Sequence, residues 1–215
     1  MEFEKKELRN AMRLYAVTDT RWLQGQTLAQ AVEEAILGGA TCIQFRDKKL
    51  SFDAFCAQAE ELLAVTRRYR VPLILNDHVE AVLSCGADGV HLGQGDMELS
   101  RAREILGPDR IIGVSAHSVE EAMLAERNGA DYLGAGAVFS TGTKQDTTSL
   151  PLERLRAICD AVSIPVVAIG GISEENVTRL AGSGIDGIAV VSAIFGAGDI
   201  RQAAVRLMHL MQATS

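Results

Sequence analysis

Short apolar runs rich in β-branched residues alternate with longer stretches of helical periodicity along the whole chain. LYAVTD (14–19), CIQFR (42–46), PLILND (72–77), GVHLG (89–93), IIGVSA (111–116), YLGAGA (132–137), PVVAIGG (165–171) and GIAVVSA (187–193) predict eight strands. The stretches between them predict helices: TLAQAVEEAILGG, SFDAFCAQAEELLAVTRRY, VEAVLSC, ELSRAREIL, SVEEAMLAERNG, LERLRAICDAV and SEENVTRLAGSG, with DIRQAAVRLMHLM after the last strand. A helix is therefore expected after every strand. Ser51, Ser118 and Ser173 stand where N-caps belong, and Ser118 with Glu121 has capping-box spacing. Gly38, Gly39, Gly129 and Gly184 supply stops.

The phrases ILGGATCIQ, VLSCGADGVHL, ERNGADYLG and LAGSGIDGIAV repeat one pattern, in which a helix ends in glycine, a small turn follows and a strand begins. A repeat of about one βα unit accounts for it. Nearly continuous apolar strands are those of a parallel sheet covered on both faces, so the chain reads as an α/β protein, a single (β/α)8 TIM barrel. The 215 residues suit one domain, 1–215, with residues 1–12 as a polar N-terminal extension or an extra helix over the barrel's bottom.

Composition narrows the partners. With 21 basic and 28 acidic residues the net charge is −7, which argues against a broad nucleic-acid surface. No run approaches the roughly 18 apolar residues of a membrane span. The start, MEFEKKELRN, is too charged for a signal peptide, and Cys42, Cys56, Cys85 and Cys159 are too far apart for a C-x-x-C pair. A reduced, cytoplasmic protein acting on small molecules is expected, with four cysteines serving as small hydrophobes. A homo-oligomer is compatible with these features, and nothing in the sequence specifies one.

Several apolar runs stop abruptly in polar chemistry, and in such barrels active sites lie where strands end. Strand alternation sends Gln44, Arg46 and Lys48 to one side and Ile43 and Phe45 to the other, which puts the polar three at the barrel mouth if the apolar pair faces the helices. Gln44 offers an amide to a flat heterocycle, Arg46 a fork matched to phosphate, and Lys48 a point charge. Lys49 reads instead as half of a solvated pair with Asp47. Asn76 and Asp77 end the third strand and Asp96 follows the fourth, so the two acids can meet at one Mg²⁺. Helix capping is the commoner role for an isolated strand-end Asp, and a glycosidase pair is the other catalytic reading. Low aromatic content and the neighbouring cations speak against sugar and for a pyrophosphate leaving group. His78 and His91 form no convincing ligand spacing. Ser115 ends the fifth strand; Thr141, Thr143 and Lys144 follow the sixth as a candidate lid over an anion. Gly170 and Gly171, with Val191 and Ser192, suggest a second phosphate site on backbone N–H groups. GAGAVF lacks the third glycine of a dinucleotide loop and is set aside.

LYAVTD, QFRDK, LILND, HLGQGD, GVSAH, FSTGTK, AIGGI and AVVSA together, in this order and spacing from Leu14 to Phe195, resemble the thiamine-phosphate synthases. The resemblance implies a transferase joining a hydroxymethylpyrimidine diphosphate to a thiazole phosphate with release of pyrophosphate. It implies that Gln44 holds the pyrimidine with Ser115 beside it. Arg46, Lys48, Asn76 and Lys144 would hold the diphosphate, and Asp77 with Asp96 would hold Mg²⁺. Thr141, Thr143, Gly171, Val191 and Ser192 would hold the thiazole phosphate and product; Arg46, Lys48, Ser115 and Lys144 would be the catalytic groups. The implied route is dissociative and needs no protein nucleophile, in keeping with a site expected to lack a Ser–His or Cys–His pair. Ala137, where members often have proline, and SLPLERL, without the expected glycine, depart from the family's pattern around the lid. The runner-up is the related thiazole tautomerase, which would use a histidine such as His117 and would not need the two acids. A third reading is a non-catalytic phosphate-ligand-binding regulatory barrel.

Overall fold

The computed structural model describes residues 5–23, 25–140 and 149–212. Eight parallel strands close into a barrel in sequence order: β1 (Leu14–Val17), β2 (Cys42–Phe45), β3 (Leu73–Asn76), β4 (Gly89–Leu92), β5 (Ile111–Ala116), β6 (Tyr132–Gly136), β7 (Val166–Ile169) and β8 (Gly187–Val190). The barrel closes where Tyr15 of β1 pairs with Ala189 of β8. Helices α1 (Lys5–Ala11), α2 (Leu28–Leu37), α3 (Phe52–Tyr69), α4 (Val79–Cys85), α5 (Leu99–Leu106), α6 (Val119–Arg127), α7 (Leu152–Ala161), α8 (Ser192–Phe195) and α9 (Ile200–Gln212) complete the described residues. All eight expected strands are present.

Two apolar clusters follow from strand alternation. Leu14, Ala16, Ile43, Phe45, Leu73 and Leu75 point outward and pack under the helices. Tyr15, Val17, Cys42, Ile74, Tyr132, Val167 and Ala189 point inward and fill the barrel. Leu8, Ala11 and Met12 join the inner cluster from below. Arg9 of α1 pairs with Asp186 and donates to the Ser163 carbonyl at 2.8 Å, which anchors this helix to the loops that precede β7 and β8.

The repeated phrases have a physical counterpart, at twice the expected period. Each phrase lies at the start of an even-numbered strand, and its polar residue accepts an N–H from the first or second residue of the preceding odd strand. Thr41 Oγ1 takes Leu14 N at 2.9 Å, Asp88 Oδ2 takes Leu73 N at 2.9 Å, Asp131 Oδ2 takes Ile112 N at 2.7 Å, and Asp186 Oδ2 takes Val166 N at 2.9 Å. The backbone N–H of each acceptor residue returns a bond to the carbonyl of the same partner. Four such clasps tie the strands in pairs at the bottom of the barrel.

The helix expected over SEENVTRLAGSG contracts to a single 3₁₀ turn, Val177–Leu180. Asn176 is the cause: its Oδ1 accepts Ser173 N at 2.9 Å while its Nδ2 donates to the Gly171 carbonyl at 2.8 Å, which holds the chain in a turn. Gly182 and Gly184, both with positive φ, end the segment. The short α8 stands between β8 and the expected last helix. Caps also redistribute. Ser51 and Ser118 cap α3 and α6, but Glu121 accepts from His117 N at 2.7 Å, and the full capping box is Thr27 with Gln30.

Candidate active site

The C-terminal ends of the strands surround a cavity of about 480 Å³, within the usual size of a small-molecule site. Gln44, Arg46, Asn76, Ser115, Gly171, Val191 and Ser192 line it, so seven of the sequence-predicted residues converge. Lys48, Asp77 and Asp96 do not line the cavity itself. Lys48 Nζ lies 3.7 Å from Asp77 Oδ2, beyond the end of β3. Thr141, Thr143 and Lys144 lie outside the described residues.

Local structure explains each placement. Gln44 alternates inward on β2 and is 5% exposed, so its amide must be satisfied; Nε2 donates to Tyr15 Oη at 3.0 Å. Arg46 follows the strand's end, where its backbone N–H donates to Thr18 Oγ1 at 3.1 Å. Thr18 and Asp19 line the cavity too, although the sequence reading gave them only a place in β1. Asp19 caps the 3₁₀ turn at Thr20–Trp22; the Arg21 hydrogen bonds, with Arg46 contributing attraction, hold its carboxyl below the ordinary range. Asp47 shapes the loop, its Oδ1 accepting Lys49 N at 2.7 Å and Leu50 N at 3.2 Å. At Gly171 (φ +66) an added Cβ would stand 2.4 Å from the Ser140 carbonyl oxygen, so the loops after β6 and β7 touch only because this residue is glycine.

Asp77 and Asp96 meet, as expected from adjacent strand ends. Burial pushes the Asp77 carboxyl up, and hydrogen bonding and repulsion from Asp96 push it further. Asp96 is held in place by Gly93 N, which donates to its Oδ2 at 2.6 Å. Two carboxylates in contact, only partly offset by Lys48 and Arg46, are a donor set suited to a hard divalent cation that completes its shell with water and phosphate oxygens. Among the described residues no group of three or more His, Cys, Asp or Glu gathers, so any cation here would rest on these two carboxylates alone.

Beneath the cavity Ser115 is joined to three residues, Tyr15, Tyr132 and His91, to which the sequence assigned no chemistry. Tyr15 Oη and Tyr132 Oη are 2.8 Å apart, Tyr132 Oη is 3.0 Å from His91 Nδ1, and His91 Nε2 is 3.0 Å from Ser115 Oγ. The expectation that no Ser–His pair exists is thus corrected: inward alternation on β4 and β5 brings His91 against Ser115. The partner behind the imidazole is a phenol, however, not a carboxylate. Complete burial keeps the Tyr132 proton on, so this phenol offers no negative charge to an imidazolium. His117 also lines the cavity, its Nδ1 3.2 Å from Glu121 Oε2. All four thiols are free, and burial raises each of them, Cys159 to about 12, so they stay protonated and inert. No helix among the described residues is long and apolar enough to cross a membrane.

A family model described as thiamine monophosphate synthase matches residues 14–194. The thiamine-phosphate synthase of Clostridium acetobutylicum is 48% identical over 203 residues, covering 94% of this chain and 96% of that protein. That of Ruminiclostridium cellulolyticum is 49% identical over 197 residues, covering 92% and 94%. Among solved structures, the thiamine phosphate pyrophosphorylase from Pyrococcus furiosus matches with a TM-score of 0.88 at 43% identity, covering 96% of this chain and 98% of that one.

Proposed function

Because the chain belongs to the thiamine monophosphate synthase family, we propose that it is the transferase that joins hydroxymethylpyrimidine diphosphate to hydroxyethylthiazole phosphate, giving thiamine phosphate and pyrophosphate. The observation that supports this reading is the convergence of Gln44, Ser115, Arg46 and Asn76 at the cavity, with the Asp77–Asp96 pair starting at the residue after Asn76. A ring reader and a diphosphate clamp side by side suit a substrate that contains both groups.

In the proposed reaction Gln44 and Ser115 orient the pyrimidine. Arg46, Asn76 and Lys48 bind the diphosphate, joined by Lys144. Asp77 and Asp96 would hold Mg²⁺, which when bound neutralises charge on the diphosphate oxygens. The bond between the methylene carbon and the bridging oxygen breaks, and its electron pair leaves with pyrophosphate. The 4-amino group feeds electron density into the resulting methylene cation, which the thiazole nitrogen then attacks. No proton need be taken by the protein, in keeping with a phenol, that of Tyr132, on His91 Nδ1. Backbone N–H groups at Gly171, Val191 and Ser192, with Thr141 and Thr143, would receive the thiazole phosphate.

Incubation of the protein with both substrates and Mg²⁺ tests this. Thiamine phosphate and pyrophosphate should form in equal amounts. Pyrophosphate without the coupled product, or isomerisation of the thiazole alone through His117, would overturn the assignment.

A further inference from the structure

Five side chains, Gln44, Tyr15, Tyr132, His91 and Ser115, form one unbroken hydrogen-bonded line across the inside of the barrel, and only its two ends have a role in the reaction above. We propose that Tyr15, Tyr132 and His91 are positioning residues that fix the hydrogen-bond polarity of both ends at once, so that the site takes a 4-aminopyrimidine and rejects its 4-oxo counterpart. The proposal rests on the reading that the pyrimidine lies between Gln44 and Ser115.

The polarity follows from counting protons. Gln44 Nε2 donates to Tyr15 Oη, and in the proposed polarity the Tyr15 hydrogen turns to Tyr132, whose own hydrogen then turns to His91 Nδ1. With Nδ1 accepting, the ring hydrogen sits on Nε2 and donates to Ser115 Oγ, which directs the Ser115 hydroxyl hydrogen away from the line and toward the cavity it borders. Gln44 therefore presents its carbonyl oxygen and Ser115 its O–H. An aminopyrimidine offers the matching pair, an exocyclic N–H donor and a ring-nitrogen acceptor. The oxo form offers the reverse, an exocyclic acceptor and a ring N–H. Accepting it would require turning every member of the line and flipping the Gln44 amide.

Two further features fit such a device. Both phenols are fully buried and burial raises both, so their protons remain in place to carry the polarity. Gly113 and Gly134 clear the space: a Cβ at 113 would lie 2.0 Å from Tyr132 Cζ, and one at 134 would lie 3.0 Å from His91 Cε1. The barrel interior thus gives up side chains on β5 and β6 to house Tyr132 and His91.

Two measurements test the proposal. Nitrogen-detected NMR of the histidine-labelled wild type, which has four histidines, should find His91 in the Nε2–H tautomer with Nδ1 unprotonated. The Nδ1–H tautomer would overturn the proposal. The second measurement compares kcat/KM for 4-amino and 4-oxo pyrimidine diphosphates in wild type and Tyr132→Phe. The amino-to-oxo ratio should fall by at least about tenfold in the variant, because its two ends are no longer tied together. Loss of activity on the amino substrate with an unchanged ratio would mark Tyr132 as merely structural and overturn the proposal. Should Tyr132→Phe not fold, the tautomer decides. If the wild type makes no thiamine phosphate, the assigned function fails, whereas the tautomer still reports on the polarity of the line.

Discussion

Asp77 holds a left-handed backbone conformation (φ 65) that Asp and Asn tolerate better than most residues, and it presents a carboxylate that burial and Asp96 push toward protonation. A carboxyl whose pKa is raised by folding contributes stability below its unfolded-state range, and that contribution is lost as pH rises through the folded-state value. At neutral pH the charged pair therefore costs the metal-free protein stability. Asp77→Asn, which keeps the backbone conformation, is predicted to raise Tm in EDTA by up to about 2–4 °C at pH 7, with the gain vanishing in acid. Lost contact with the exposed Lys48 should subtract little. Mg²⁺ should raise the wild-type Tm and leave that of the variant unmoved; scanning calorimetry with and without Mg²⁺ checks both. Single residues were legible where a polar side chain stands at or near the end of an apolar strand: Gln44, Arg46, Asn76 and Ser115 all reach the cavity. Thr18 and Asp19 were missed although LYAVTD names them, because their effect is exerted on β2. The Tyr15–Tyr132 contact joins residues 117 apart, and no local pattern announces it.

At the scale of elements, the repeated small-residue turns state where strands begin but not how those turns are held. Thr41 does for β1 what Asp88 does for β3, so a hydroxyl and a carboxylate are interchangeable in this clasp. Asp88 is buried, and Asp88→Val should leave Leu73 N–H without its acceptor at a cost of about 1–3 kcal/mol. Asp88→Thr should recover much of that loss. Urea unfolding of the two variants decides: equal destabilisation would mean that the repeat reflects packing alone. Every strand was legible as a short apolar run, although the readings overran β1, β7 and β8 by two or three residues into the loops that follow. The seventh helix was not, because Asn176 competes for backbone groups through its side chain, a choice that periodicity does not register.

The whole molecule separates support from chemistry along the barrel axis. α1 closes the bottom, where Leu8 is buried beside Met12, and the cavity opens at the opposite end. Leu8→Ala should thus lower Tm by about 4–8 °C, the effect of about 2 kcal/mol in a chain of this size, while kcat at 25 °C stays within about twofold of wild type. A matching loss of kcat in the folded protein would contradict this separation. The barrel was legible as a whole because eight alternations of strand and helix leave few other closures, whereas which loops touch across its mouth depends on distances that sequence does not carry. We propose that this mouth assists the departure of a diphosphate through a cation held by Asp77 and Asp96. The most direct test is a Mg²⁺ titration of thiamine phosphate formation by wild type and Asp96→Asn. Saturable dependence in the wild type, with at least about tenfold more Mg²⁺ needed by the variant or no turnover at all, is predicted. Full wild-type activity in EDTA, or the same half-saturating Mg²⁺ in both proteins, would contradict it.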